Sequence, residues 1–221
     1  MAMMFARMKA LNRLDLSVTR MEEMFSNCDS LAVLDISSFN TSKVKSMTNL
    51  FCYCSSLTTL DINYFDTTKV TSMRYMFANC ESLSTLDVDH FNTSKVTLIH
   101  RMFNGCTALT VLDVSNFDTS SANRMDWMFY HCTSLTSLDV NNFDTSNVTD
   151  MSFMFPGCSN LTSLDLSNFS FANVTSYAFI FTYMPTNATI KIGSTDAKKW
   201  ILALTETDCP MEWTENNITI V

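Results

Sequence analysis

An aspartate returns every 26 residues along this chain, each time behind a leucine: Asp35, Asp61, Asp87, Asp113, Asp139 and Asp165. Carboxylates in a column are the donors of a hard-cation site, or the makings of an acidic binding face. If stacked about 5 Å apart they repel by roughly 1 kcal/mol in water and several-fold more at a protein surface. Hydrogen bonds from neighbouring Ser, Thr and Asn, such as Thr59, Asn63 and Ser115, are the expected offset. Bridging of the ladder by calcium is the minority alternative, because calcium wants six to eight oxygens and one column offers too few. No metal and no cofactor are expected.

Two other columns carry side chains with chemistry. Cys28, Cys54, Cys80, Cys106, Cys132 and Cys158 keep the same spacing. Identical stacked positions point their Cβ atoms in parallel, which opposes a disulfide dihedral, and a linear ladder does not converge tetrahedrally on zinc. Buried, reduced thiols are expected, with Cys52 and Cys209 standing outside the column. A third column runs Glu23, Asn49, Tyr75, Arg101, Trp127, Phe153, Phe179. Tyr, Trp and Arg are the usual anchors of interfaces, so Tyr75, Arg101, Trp127, Phe153, Tyr130 and His131 form the candidate binding patch. The alternative is that these rings merely cover core between repeats. Tyr64 and His90, at the sheet edge, are a secondary candidate. Catalysis finds no constellation: His90, His100 and His131 fall in different columns, so the chain is not expected to be an enzyme.

What must position these columns is a repeat. Phe25 through Phe181 and Phe39 through Phe169 recur in step with Leu34/Asp35 through Leu164/Asp165. The first unit is shorter, with Leu14/Asp15 only 20 residues before Leu34. A period in the 20s with leucines spaced as in "LTTLDIN" is the mark of a leucine-rich-repeat solenoid. The expected class is α/β: a right-handed solenoid with a stacked parallel sheet on one face and short helices or turns on the other. Leu60, Asp61 and Ile62 alternate in-out-in as a short strand. "FDTS" offers side-chain oxygens that turn the chain off the sheet. Met73, Met76, Phe77 and Cys80 recur at helical spacing, which predicts a short helix or helical turn opposite the sheet.

About seven repeats are expected over residues 1–185. Residues 186–221 read as a capping strand-helix-strand, with Ile190 and Ile192 in the places of Leu164 and Leu166, a helix over "STDAKKWILALTE" and a last strand in "ENNITIV". Such an end closes the core and stops further stacking. The chain has a net charge of −8, which argues against nucleic acid and anionic membranes as partners. No apolar run approaches a membrane span. The opening "MAMMFARMKALNRLDLS" lacks a signal-peptide pattern and reads as the interior of a repeat, so the chain is expected to begin inside a larger array.

Units such as "MFPGCSNLTSLDLSNFSFANVTSYAF" and "MFANCESLSTLDVDHFNTSKVT" resemble those of the BspA-like leucine-rich-repeat surface proteins. The resemblance covers roughly residues 1–185. It implies an extracellular, cell-surface recognition or adhesion module, monomeric, binding a protein or glycan of host or neighbouring cells. A structural spacer in a long surface array, with no ligand of its own, is the alternative.

Overall fold

The computed structural model describes residues 19–204 and 213–221. The shortened first unit around Leu14 and Asp15, and Cys209, lie outside the described residues. The chain winds as a parallel β-solenoid of about seven turns with little helix. One face is a set of short parallel strands in 26-residue register: β1 (Val33–Leu34) on β2 (Thr59–Leu60), and β3 (Val111–Asp113) on β4 (Ser137–Asp139). β5 (Ser163–Leu166) pairs with β6 (Thr189–Ile192), and a single bridge, Thr85 to Val111, ties in the intervening turn. Leu112 meets Leu138 and Asp113 meets Asp139, so the inward leucine and outward aspartate columns follow from strand alternation.

On the opposite face the structure takes the turn alternative and not the helix. Residues 73–80 form turns, not a helix. Met73, Tyr75, Phe77 and Asn79 send their N–H groups to Leu98, His100, Met102 and Asn104 of the next turn, at 2.6–3.2 Å. Met76, Ala78 and Cys80 instead close onto Met73, Tyr75 and Phe77. An α-helix would spend every one of these donors within its own segment. Positive φ at Tyr75 (56°) and Asn79 (58°) breaks any helical run. The apolar spacing Met73, Met76, Phe77, Cys80 does select the buried residues, but the backbone reaches that outcome by alternating between its own turn and the next. Among the described residues the α-helix is confined to the C-terminal end.

Columns inside the stack are continuous. The rings of Phe25, Phe51, Phe77, Phe103, Phe129, Phe155 and Phe181 stack with centroids 5.6–5.9 Å apart and planes within 12°. That is the offset geometry aromatic pairs prefer. Polar groups in the core are handed from one turn to the next. The thiols of Cys54, Cys80, Cys106, Cys132 and Cys158 each donate to a phenylalanine carbonyl of the turn before, at 3.1–3.2 Å. Buried Thr41, Thr67, Thr93, Thr119 and Thr145 donate to the backbone carbonyl 25 residues on, at 2.9–3.1 Å. Each of these ten buried donors therefore finds an acceptor, as a low-dielectric interior demands.

At the C-terminal end the strand expected at Ile190 and Ile192 is β6, in the predicted register: Leu164 opposite Ile190 and Leu166 opposite Ile192. Ser194 caps helix α1 (Thr195–Leu202), its hydroxyl accepting from the Ala197 N–H at 3.1 Å. Ile201 and Ala197 are buried, and Trp200 stacks on Phe171 at 4.3 Å. The last strand, β7 (Ile218–Ile220), pairs parallel with β6.

Candidate functional site

Phe171 stands where the threonine column would continue, and it carries Trp200. The column from Glu23 to Phe179 occupies one repeated backbone position, and that position is left-handed: φ is 58° at Glu23, 55° at Asn49, 56° at Tyr75, 60° at Arg101, Trp127 and Phe179, and 58° at Phe153. Four residues on, a second left-handed column runs Asn27, Tyr53, Asn79, Gly105, His131, Gly157, Tyr183. Gly and Asn suit such a φ, whereas a bulky side chain there costs about 1–2 kcal/mol. The recurrence of Asn and Gly at 27, 79, 105 and 157 was the sequence signal for this backbone.

The side chains at the first column form one file. The Arg101 guanidinium sits 5.1 Å from the Tyr75 ring and 4.7 Å from the Trp127 ring. Trp127 stacks on Phe153 at 4.2 Å and 19°, and Phe153 on Phe179 at 4.8 Å and 23°. Tyr130 leans on Trp127 at 4.5 Å and lies flat on His131 at 4.2 Å and 9°. The structure thus brings all six residues of the sequence-defined patch into contact and extends them by Phe179. A ring pair contributes about 0.5–1.5 kcal/mol and a cation over a ring about 0.5–2. These gains match the backbone cost in size, so the file is close to energetically neutral. A Cβ on Gly157 would lie 2.6 Å from the His131 ring, and one on Gly105 would collide with the Asn79 amide. The two glycines leave room for the side chain of the preceding turn.

Beside the file lies a charge cluster of which the sequence reading named Arg101 and His100 but not Arg124, Asp126 or Asp150. Asp126 is 1% exposed and accepts from Arg124 Nε at 2.8 Å. Arg124 also pairs with Asp150 at 3.3 Å, while Arg101 Nε stays 3.9 Å from Asp126. His100 is buried edge-on to Tyr75, with no hydrogen-bond partner for Nδ1. Burial lowers the His100 pKa, opposed by the Asp126 charge and helped by the nearby arginines. The signal was the residue column Glu22, Thr48, Arg74, His100, Asp126, Ser152, which is polar from Glu22 to Ser152 although each member lies one residue from a buried methionine or, at His100, from buried Ile99.

The aspartate ladder is explained by local geometry. Each carboxylate turns back on its own strand end and accepts the backbone N–H two residues on: Ser37 at 3.0 Å, Asn63 at 3.1, Asp89 at 3.2, Ser115 at 2.9, Asn141 at 3.0 and Ser167 at 3.0. Ser37 and Ser115 add a hydroxyl donor at 2.7 and 2.6 Å. Those hydroxyl bonds, then the backbone bonds, hold Asp35 and Asp113 below the usual carboxylate range. Of the three offsetting residues expected, Asn63 and Ser115 act in this way; Thr59 instead lies in β2 with its partner Val33. A second set of the same turns, at Asn40, Asp66, Asn92, Asp118 and Asp144, closes the opposite corner. Five acidic residues, Asp35, Asp61, Asp87, Asp89 and Asp113, line an open groove of about 670 Å³ on the strand face.

Of the secondary pair, Tyr64 is 64% exposed, and the His90 ring turns back so that Nε2 meets the Ile62 carbonyl at 3.0 Å. The cysteine column is buried and unpaired, with Cys52 buried beside it. Burial pushes the thiols of Cys54, Cys106 and Cys158 up to about 12 and that of Cys52 to about 11. These are packing groups, without thiolate character at neutral pH.

Two overlapping stretches, residues 1–110 and 84–192, match the family described as "Mycoplasma protein of unknown function, DUF285". The chain belongs to that family. Each matched stretch spans several 26-residue repeats, and together they take in the aromatic file, the aspartate ladder and β6. Among curated proteins, none matches the chain. No helix among the described residues is long and apolar enough to cross a membrane.

Proposed function

We propose that this chain is a noncatalytic recognition module, displayed on a cell surface and binding a protein or glycan of host or neighbouring cells through the file Tyr75–Arg101–Trp127–Phe153 with Tyr130 and His131. The likeness of its units to BspA-like leucine-rich-repeat surface proteins, a right-handed α/β repeat class, supports the surface setting. The observation that carries the reading is the left-handed backbone under the file. Asn49 occupies the same position without penalty, yet the four following turns place Tyr, Arg, Trp and Phe there. Strained positions cluster where function requires a particular side chain. The rings lie face to face along the stack, so they offer edges and a cation outward more than flat faces. This favours a protein partner over a sugar ring seated on an open aromatic face.

A structural spacer is the second reading, favoured by that same saturation of ring faces. The two separate in one experiment. The whole chain is screened against host-protein and glycan arrays, then compared with Trp127→Asn and Arg101→Asn, which suit the left-handed backbone. Recognition requires saturable binding lost in both variants at unchanged melting temperature. Silence of the folded chain on both arrays overturns it.

A further inference from the structure

The six turns act as one another's controls at the strand end, and one of them differs. After the ladder aspartate, the residues two and three positions on are Ser37/Ser38, Asn63/Tyr64, Ser115/Asn116, Asn141/Asn142 and Ser167/Asn168. Only behind Asp87 are they a carboxylate and an imidazole, Asp89 and His90. In the later turns the asparagine at the third position spends its amide on the turn before: Asn116 on Asp89 O at 3.0 Å, Asn168 on Asn141 O at 2.8 Å. His90 keeps half of that role, meeting the Ile62 carbonyl through Nε2. A carbonyl only accepts, so Nε2 carries the ring proton. In the neutral ring Nδ1 then keeps a lone pair, 3.7 Å from Asp89 Oδ1.

With the ring neutral these two acceptors face each other, an arrangement that a bound cation would satisfy. One ligand atom from each of Asp87, Asp89 and His90 lies within 4.8 Å of the other two. Tetrahedral bonds of about 2.0–2.2 Å set donor atoms roughly 3.3–3.6 Å apart, so an inward rotation of the exposed carboxylates by about an ångström closes the set. A ring N–H anchored on a backbone carbonyl is also the usual way a metal-binding histidine is oriented. We propose that Asp87, Asp89 and His90 bind a divalent first-row transition ion, of the zinc or manganese kind, on the acidic groove of the strand face. Mixed imidazole and carboxylate donors select such ions. Calcium, an oxygen-only ion of high coordination number, is not the ligand. The site lies on the strand face, away from the aromatic file, and stands whether or not the file binds a partner.

The test titrates the metal-free whole chain with Co²⁺, read by visible absorption, with Zn²⁺ as competitor. The expected result is one saturable site with oxygen and nitrogen donors, displaced by Zn²⁺. Asp89→Ser and His90→Asn install residues the neighbouring turns already carry, so both fold, and each weakens binding about tenfold or more. Asp139→Asn, two turns away, leaves it unchanged. A thiolate spectrum, affinity unaltered in His90→Asn, or calcium competing as well as Zn²⁺ overturns the site.

Discussion

Replacing Thr67 by valine removes one buried oxygen and almost nothing else. The residue is 2% exposed, and the substitution keeps both its shape and its β-branching. Its hydroxyl donates to the Asn92 carbonyl at 3.1 Å and accepts from the Asn92 N–H at 2.7 Å, so one side chain satisfies both backbone groups of the turn above. Each bond contributes about 1 kcal/mol net, and stranding a partly buried donor costs about 1–3 kcal/mol. The expected loss is about 2–3 kcal/mol, a drop of about 5–10 °C in Tm for a chain of this size. The matched control is next door. Thr68 is exposed and its hydroxyl reaches only the Asp66 carboxylate at 2.6 Å, so Thr68→Val should move Tm by about a degree. Thermal unfolding followed by circular dichroism on both variants decides it. If Thr67→Val melts with the wild type, or if the two variants fall together, the inter-turn hydroxyl ladder does not hold the stack.

Three further outcomes follow from the same geometry. Tyr53 has φ 62° and is 53% exposed, so Tyr53→Asn should stabilise by about 1 kcal/mol and raise Tm by a few degrees; a fall would mean the ring contributes more than its backbone costs. The six column thiols and Cys52 should resist alkylation in the folded protein and react together on unfolding, read by peptide mass mapping, because burial holds all of them protonated. His100, its pKa lowered mainly by burial, is neutral in the fold while the unfolded chain takes up its proton near pH 6.5. Stability should therefore drop as pH falls through about 6.5 and level off once the folded protein also protonates; Tm measured from pH 7.5 to 5 should lose this slope in His100→Gln.

How much of this could be read from the chain alone differs by column. Leu138 and Asp139 alternate as a strand must, and the structure keeps them inward and outward; the strand face was legible because a two-residue period has only one stacked reading. The register of Ile190 on Leu164 was legible for the same reason. The face with Met73, Met76, Phe77 and Cys80 was not, because spacing of three and four fits a helix as well as a turn that folds over itself every fourth residue. What distinguishes them is the sign of φ, and its sequence trace is the Asn/Gly column at 27, 79, 105 and 157, diluted by Tyr53, His131 and Tyr183. The patch from Tyr75 to Phe153 was legible as a set of neighbours, since a fixed period places equal positions on top of one another. That its rings stack face to face needed coordinates, because ring orientation depends on the left-handed Cα–Cβ direction. Asp126 was missed since a lone acidic residue in a variable column has no partner until Arg124 is brought to 2.8 Å.

The division between columns that repeat and columns that vary has a physical origin. A side chain in an inner column touches its equivalents in the turns above and below, so a single change must fit two neighbours at once. Phe103, at 5.8 Å from Phe77 and 5.9 Å from Phe129, shows the constraint: a smaller residue there opens two voids, at a cost of about 3–5 kcal/mol for a phenylalanine truncated to alanine. Such columns repeat or change only among apolar residues, as Ile99 does in the column of buried methionines. The file from Tyr75 to Phe179 also has neighbours above and below, yet it varies, and it does so in a compatible order: ring, cation, ring, ring, ring. A column under stacking constraint alone would settle on one residue that suits φ near 60°, as Asn49 does. Under the proposed recognition role, the turns that depart from asparagine answer to a requirement outside the stack. The same inference applies on the other face to Asp89 and His90, where serine and asparagine already satisfy the turn.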